Sequence, residues 1–114
     1  MEDCIFCRIA NKQLPANVVY ENEKVMAFKD IYPVRPFHVL IIPKQHIENV
    51  NSINKANADV LADIHLAAVE IAKEHKLNDT GFRLITNCGK DAGQTVMHFH
   101  YHMLGGAVLG TSII

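Results

Sequence analysis

Five residues near the C-terminus, His98 to His102, alternate imidazole and aromatic side chains and constrain the fold of this 114-residue chain more than any other segment. In a β-strand, side chains two residues apart share a face. The three histidines would therefore line one face, while Phe99 and Tyr101 line the other. A row of three imidazoles is not typical of a hydrophobic core. We therefore predict a strand over 98–104 whose histidine face carries chemistry.

Two kinds of site compete for this face: a metal site and a catalytic row in which one histidine is the nucleophile. Residues two apart in a strand lie roughly 6.6–6.8 Å apart, so His98 and His102 would be about 13 Å apart at Cα. One ion with bonds of about 2.0–2.1 Å cannot collect all three rings from a straight strand. We therefore favour different roles for different histidines over a row of ordinary surface histidines.

Composition indicates a single compact domain over 1–114, because 49% of the residues are hydrophobic and 20% are charged. The net charge of −1 offers no basic surface for a nucleic acid polymer. No apolar run approaches the ~20 residues of a membrane span, and the first four residues lack the features of a signal peptide. We expect a cytoplasmic protein with no membrane partner and, since three cysteines is an odd count, no disulfide framework.

The order of the elements predicts an α+β fold with a mostly antiparallel sheet. Short strands are predicted over 18–21, 25–30 and 82–88, and a short helical turn over 4–11. The apolar run 37–43 predicts a strand covered on both faces. Helical periodicity over 57–75 predicts one long amphipathic helix, and His65 and His75 fall outside its apolar stripe as surface residues. Cys88 is predicted to be a small buried hydrophobe.

Several residues could carry chemistry or could have a plain structural role. Cys4, Cys7, His46 and His98 would together supply a tetrahedral Cys₂His₂ metal set, although spacing alone does not show that they meet. The loop 89–96 contains glycines and could present amides to an anion, or it could be a simple turn. His38 and His46 flank the apolar strand and could merely cap it. Phe28 and Asp30 could hold a base and a ribose, or could be a core residue and a turn residue.

The run His98 to Leu104 resembles the pattern His-φ-His-φ-His-φ-φ, with φ hydrophobic, that names the histidine triad superfamily. The segments 4–9, 27–31, 38–46 and 92–97 are similar to the Hint-like branch, so the resemblance spans nearly the whole chain. It implies a five-stranded antiparallel sheet with one long helix and a short N-terminal helix. It also implies a nucleotide hydrolase that cleaves the P–N bond of purine nucleoside phosphoramidates. A dinucleoside polyphosphate hydrolase and a non-catalytic nucleotide-binding regulator are the alternatives.

The resemblance assigns roles to individual residues. His100 would be the nucleophile that becomes nucleotidylated, and His102 and His38 would bind phosphate and handle protons. The implied phosphate and leaving-group contacts are Asn87, Gly93, Gln94, Thr95 and Val96. The implied purine pocket is Ile5, Phe6, Leu14, Phe28 and Ile31, with Asp30 on the ribose. Thr95 stands where many members carry serine, which keeps the hydroxyl and adds a methyl group.

The resemblance also implies a metal and a partner. Zinc-containing members of bacterial type are similar in their Cys-x-x-Cys pair, and this implies a structural zinc on Cys4, Cys7, His46 and His98. The family is generally homodimeric. We therefore expect a homodimer whose interface includes 60–75 and 82–88, with the sheet continued across it. The expected ligand is a purine mononucleotide or a nucleoside phosphoramidate such as an AMP conjugate.

Overall fold

The computed structural model describes residues 3–114, so Met1 and Glu2, which open the predicted 1–114 domain, lie outside the described residues. Its helices are α1 (Ile5–Ala10) and α2 (Asp59–Glu74). Its strands are β1 (Val18–Glu21), β2 (Val25–Lys29), β3 (Phe37–Pro43), β4 (Arg83–Ile85) and β5 (Tyr101–Gly105). Single 3₁₀ turns occupy Val50–Ser52 and Lys90–Ala92. The predicted α+β fold is confirmed.

All five strands form one antiparallel sheet in the order β1-β2-β3-β5-β4. β3 lies at its centre, as its unbroken apolar sequence predicted. β5 pairs with β3 so that His102 lies opposite Leu40 and His38 lies opposite Leu104. His38 and His102 are therefore diagonal neighbours across these two strands, close enough for their side chains to touch.

The two faces of the sheet are covered by different helices. The apolar stripe of α2, which includes Ile64 and Ile71, packs against Val39, Ile41 and Met103. On the opposite face, α1 contributes to a smaller cluster that contains Phe6, Ile9, Ala10, Met26, Phe28, Leu40 and Ile42. Odd-numbered residues of β3 thus face α2 and even-numbered residues face α1. Burying a side chain such as Ile64 completely contributes about 1.5–3 kcal/mol.

The run His98 to Leu104 is not a strand throughout, which corrects the predicted start of β5. The strand begins at Tyr101. Before it, the Phe99 amide donates to the carbonyl of Ile47, in the segment that follows β3, at 2.6 Å. The predicted division of faces is nevertheless confirmed, because Phe99, Tyr101 and Met103 belong to the cluster under α2.

Several predicted strands and the predicted long helix extend further than the observed elements. The strand predicted over 82–88 is only Arg83–Ile85, the one over 25–30 ends at Lys29, and the long helix runs from Asp59 to Glu74. Cys88 is half-buried and not buried, because it follows β4 on a loop at the sheet edge. Within residues 3–114, neither helix is long and apolar enough to cross a membrane.

Candidate functional site

A cluster of two thiols and two imidazoles joins distant parts of the chain. Cys4 precedes α1 and accepts a hydrogen bond from the Cys7 amide at 3.3 Å, so the first helical turn brings both sulfur atoms together. His46 comes from the segment after β3, and its Nδ1 lies 3.2 Å from Cys7 Sγ. His98 Nδ1 lies 3.2 Å from Cys4 Sγ and 3.5 Å from Cys7 Sγ. The four donor atoms all lie within 4.8 Å of one another.

The chemistry of this cluster fits a metal cation. Donors at about 2.0–2.3 Å from a tetrahedral ion lie about 3.3–3.8 Å apart, close to the observed sulfur–nitrogen separations. The Nε2–H of His98 donates to the Pro43 carbonyl at 2.8 Å, which leaves Nδ1 with its lone pair facing the sulfurs. Burial lowers the pKa of His98 to about 4, so this ring is a neutral ligand. Burial and the adjacent Cys4 raise the pKa of Cys7 to about 11, and a bound cation would favour the thiolate form of Cys7.

His100 presents a free ring nitrogen. Its Nδ1–H donates to the carbonyl of His98 at 2.7 Å, so Nε2 carries the lone pair. The ring is buried and meets the edge of Phe6, with ring centroids 5.1 Å apart. Burial lowers the pKa of His100, which keeps the ring neutral near pH 7. A neutral imidazole with a directed Nε2 is a nucleophile.

His102 and His38 form a connected pair beside His100. His102 Nδ1 lies 2.9 Å from His38 Nε2, and Asp30 Oδ2 lies 3.3 Å from that same nitrogen. The Val34 amide donates to His38 Nδ1 at 3.1 Å. Burial lowers the pKa of both imidazoles. His98 lies in the cluster with Cys4, Cys7 and His46, whereas His100 and His102 lie outside it.

The side chain of Gln94 ties the loop 89–97 to the segment after β3. Its Oε1 accepts from the Gly89 amide at 2.8 Å and from Asn49 at 3.2 Å. Its Nε2 donates to the carbonyls of Glu48 at 2.8 Å and Val96 at 3.0 Å. Oε1 and Nε2 of Gln94 therefore already have two protein partners each. This differs from the expectation that Gln94 contacts the phosphate or the leaving group. No pattern in the sequence indicated that Asn49 and Glu48 would bond to the Gln94 side chain.

Most of the predicted purine pocket lies on the α1 face. Phe6 and Phe28 pack edge to face at 5.5 Å, and the half-buried Leu14 packs against their cluster. Ile5 is about half exposed and Ile31 is 82% exposed, so both lie at the rim. The same cluster contains Ile9 and Leu40, which were missed. Helical spacing from Phe6 and two-residue spacing from His38 were the available signals.

The remaining predicted residues lie between β4 and β5. Thr95 and Val96 line a cavity of about 650 Å³ together with Cys4, Ile5 and His46. Gly93 ends the 3₁₀ turn in a left-handed conformation with φ of 84°, which suits glycine. Asn87 is half-buried on the loop after β4. Thr86 was missed, although its hydroxyl donates to the His100 carbonyl at 2.7 Å.

An antiparallel sheet with three alternating histidines in and just before its β5 strand, the middle ring directed by a backbone carbonyl, is typical of the histidine triad class. A family model described as "Scavenger mRNA decapping enzyme C-term binding" matches residues 3–111. A HIT family hydrolase from Clostridium thermocellum is 54% identical, with a TM-score of 0.97 over 100% of this chain and 99% of that one. The chain belongs to the histidine triad family.

Two relatives known by sequence extend this comparison. An uncharacterized HIT-like protein of Rickettsia prowazekii is 42% identical over 92% of this chain and 88% of its own length. The purine nucleoside phosphoramidase of Escherichia coli is 38% identical over 96% of this chain and 92% of its own length. This chain is similar to both along almost its full length.

Proposed function

We propose that the protein is a nucleotide-binding hydrolase that cleaves purine nucleoside phosphoramidates, with His100 as the nucleophile. The observation that carries this proposal is the hydrogen bond from His100 Nδ1 to the His98 carbonyl, because it leaves a directed lone pair on Nε2. The similarity to a protein named purine nucleoside phosphoramidase supports the substrate class.

The reaction proceeds in two displacements. His100 Nε2 attacks the α-phosphorus, so a P–N bond to the imidazole forms while the P–N bond to the amine breaks. The amine leaves with its electron pair and takes up a proton. Water then attacks the phosphorus, breaks the bond to His100 and gives up a proton, which releases the nucleoside 5′-monophosphate. Donors beside the phosphoryl oxygens stabilise the charge that develops in both steps.

The residues around His100 divide the work of binding. Phe6, Phe28 and Leu14 offer an apolar surface for the purine, and Ile5 and Ile31 close its rim. Asp30 binds the ribose hydroxyls, and its other carboxylate oxygen is held by the Tyr32 amide at 2.8 Å. Asn87, Gly93, Thr95 and Val96 contact the phosphate or leaving group, while Gln94 holds their loop in shape. His102 contacts the phosphoryl group, and His38 assists it through the contact between His38 Nε2 and His102 Nδ1.

We propose that Cys4, Cys7, His46 and His98 hold a structural zinc ion, which would place the chain in the zinc-containing Hint-like branch of bacterial type. Four protein donors leave no open coordination position. Zinc, when bound, would supply a cross-link between α1, the segment after β3 and the segment before β5. The cluster would thus anchor His98, whose carbonyl orients His100.

We further propose a homodimer built on 60–75 and 82–88. Leu66 is 65% exposed and Val69 is 45% exposed on the outer side of α2, and β4 pairs with β5 alone among the strands of residues 3–114. A second copy would cover this apolar surface and extend the sheet. We also propose that residues 1–114 form one domain. We propose a cytoplasmic location as well, since unpaired cysteines such as Cys4, Cys7 and Cys88 are typical of a reducing compartment.

Turnover of adenosine 5′-phosphoramidate tests the proposed activity. Wild-type protein is expected to release AMP steadily, and His100→Ala is expected to lose this activity by at least about 10³-fold. His75→Ala removes an exposed imidazole outside the site and serves as the matched control. Equal AMP release by the wild type and His100→Ala would refute the assignment. Wild-type protein denatured at alkaline pH during turnover should carry the nucleotide on the peptide that contains His100, because the P–N bond to imidazole is labile in acid.

A further inference from the structure

We infer that the backbone amide of Val34 sets the direction of the hydrogen bonds through His38, so that His102 presents Nε2–H to the substrate. The inference rests on the proposed function only in taking the substrate group to be a phosphoryl oxygen. Val34 is a positioning residue here, since it acts through two imidazoles and not on the substrate.

The direction of the chain follows from which atoms can donate. A backbone amide is only a donor, so His38 Nδ1, which receives the Val34 N–H at 3.1 Å, carries a lone pair. A neutral His38 must then carry its proton on Nε2. That N–H lies 2.9 Å from His102 Nδ1 and 3.3 Å from Asp30 Oδ2, both of which can accept. His102 Nδ1 is therefore the acceptor, and a neutral His102 carries its proton on Nε2.

The reverse direction is excluded by the groups at both ends. If His102 Nδ1 donated to His38 Nε2, the proton of His38 would sit on Nδ1 and face the Val34 N–H. Two donors would then oppose each other, and Asp30 Oδ2 would face a lone pair. The same protonation state argues against a metal ion on Asp30, His38 and His102, although their donor atoms lie within 4.8 Å of one another. A metal ion bound to His38 Nε2 would require the His38 proton to lie on Nδ1. The Val34 N–H donates to Nδ1 and so prevents this.

The consequence is a fixed donor beside the nucleophile. The rings of His102 and His100 have centroids 5.3 Å apart, so a group attacked by His100 lies within reach of His102. A pre-oriented N–H there meets a phosphoryl oxygen without having to change tautomer during the reaction. The segment that carries Asp30 and Val34 thus contacts both ring nitrogens of His38.

The first test reads the tautomers directly. Long-range ¹H–¹⁵N correlation spectra of ¹⁵N-labelled wild-type protein near pH 7.5 are expected to show His38 and His102 protonated on Nε2 and unprotonated on Nδ1. A spectrum in which His38 carries its proton on Nδ1 would overturn the inference. This measurement needs no substrate, so it decides the point even if the protein hydrolyses no phosphoramidate.

The second test removes the amide. Val34→Pro lacks the N–H, whereas Val34→Ala keeps it, and the side chain is 60% exposed, so neither change opens a core cavity. With adenosine 5′-phosphoramidate, kcat of Val34→Pro is expected to be about 3- to 10-fold below that of Val34→Ala, with KM changed less than about twofold. His38 in Val34→Pro should show both tautomers. Equal kcat values in two folded variants would overturn the inference, and if Val34→Pro does not fold, the wild-type spectrum alone decides.

Discussion

Replacing Gln94 by alanine should loosen the loop that surrounds the candidate phosphate site. The side chain is only 6% exposed and joins four partners: the Gly89 amide, the Asn49 side chain, and the carbonyls of Glu48 and Val96. The alanine variant would leave all four without this partner. The loop 89–97 would then lose its side-chain connection to the segment after β3.

The size of the effect follows from these four bonds. Each contributes roughly 0.5–1.5 kcal/mol net, and an orphaned buried group costs about 1–3 kcal/mol. Because the partners are only partly buried, water can replace some of the lost bonds. We therefore expect the free energy of unfolding to fall by about 2–4 kcal/mol. Displacement of the loop should also lower kcat/KM about 10- to 100-fold on adenosine 5′-phosphoramidate.

Urea unfolding and amide hydrogen exchange measure this prediction. The Gly89 amide should exchange much faster in Gln94→Ala, because its acceptor is gone. Lys90→Ala changes an exposed side chain in the same loop and is the matched control, with an expected effect within about 0.5 kcal/mol. If Gln94→Ala unfolds like Lys90→Ala and protects Gly89 equally well, the bracing role assigned to Gln94 is wrong.

Three further predictions follow from the cluster, the surface and the histidines. Cys7→Ala should lose about one zinc per chain and melt at a lower temperature than Cys88→Ala, whose thiol lies outside the cluster; elemental analysis with calorimetry checks both. Leu66→Glu should halve the mass measured by light scattering, and an unchanged mass would refute the proposed dimer interface. Burial lowers the pKa of His38 and His102, so the unfolded chain binds more protons below about pH 6.5. The free energy of unfolding should therefore fall between pH 7 and 5 and stay nearly constant between pH 7 and 8, and a rise on acidification would contradict this sign.

Periodicity predicted those parts of the fold that repeat along the chain. The α2 stripe around Ile64 and Ile71, the apolar strand β3 and the alternation of His98 to His102 are all local patterns, and their faces are as predicted. The argument that one ion cannot reach every histidine relied only on strand geometry. In the structure, His98 lies with Cys4 and Cys7, whereas His102 lies outside that cluster.

Contacts that involve distant backbone groups could not be predicted from these patterns. The amide of Val34 determines which nitrogen of His38 carries a proton, and the carbonyl of Pro43 does the same for His98. The type of a residue does not indicate which side chain its backbone amide or carbonyl will contact. Likewise, β5 starts late because Phe99 bonds to Ile47, which no local signal indicates. The family resemblance supplied residue roles, whereas the tautomers needed coordinates.

The position of β5 inside the sheet has a consequence for biosynthesis. β4 is made before β5 and, within residues 3–114, pairs with β5 alone, so it has no strand to pair with until β5 has been made. A ribosome-bound chain could assemble β1, β2, β3 and α2 while still lacking His102, which lies in β5. Since domains generally complete folding as units, the native state should form only after β5 has been made, and truncation before Gly105 should abolish the native state.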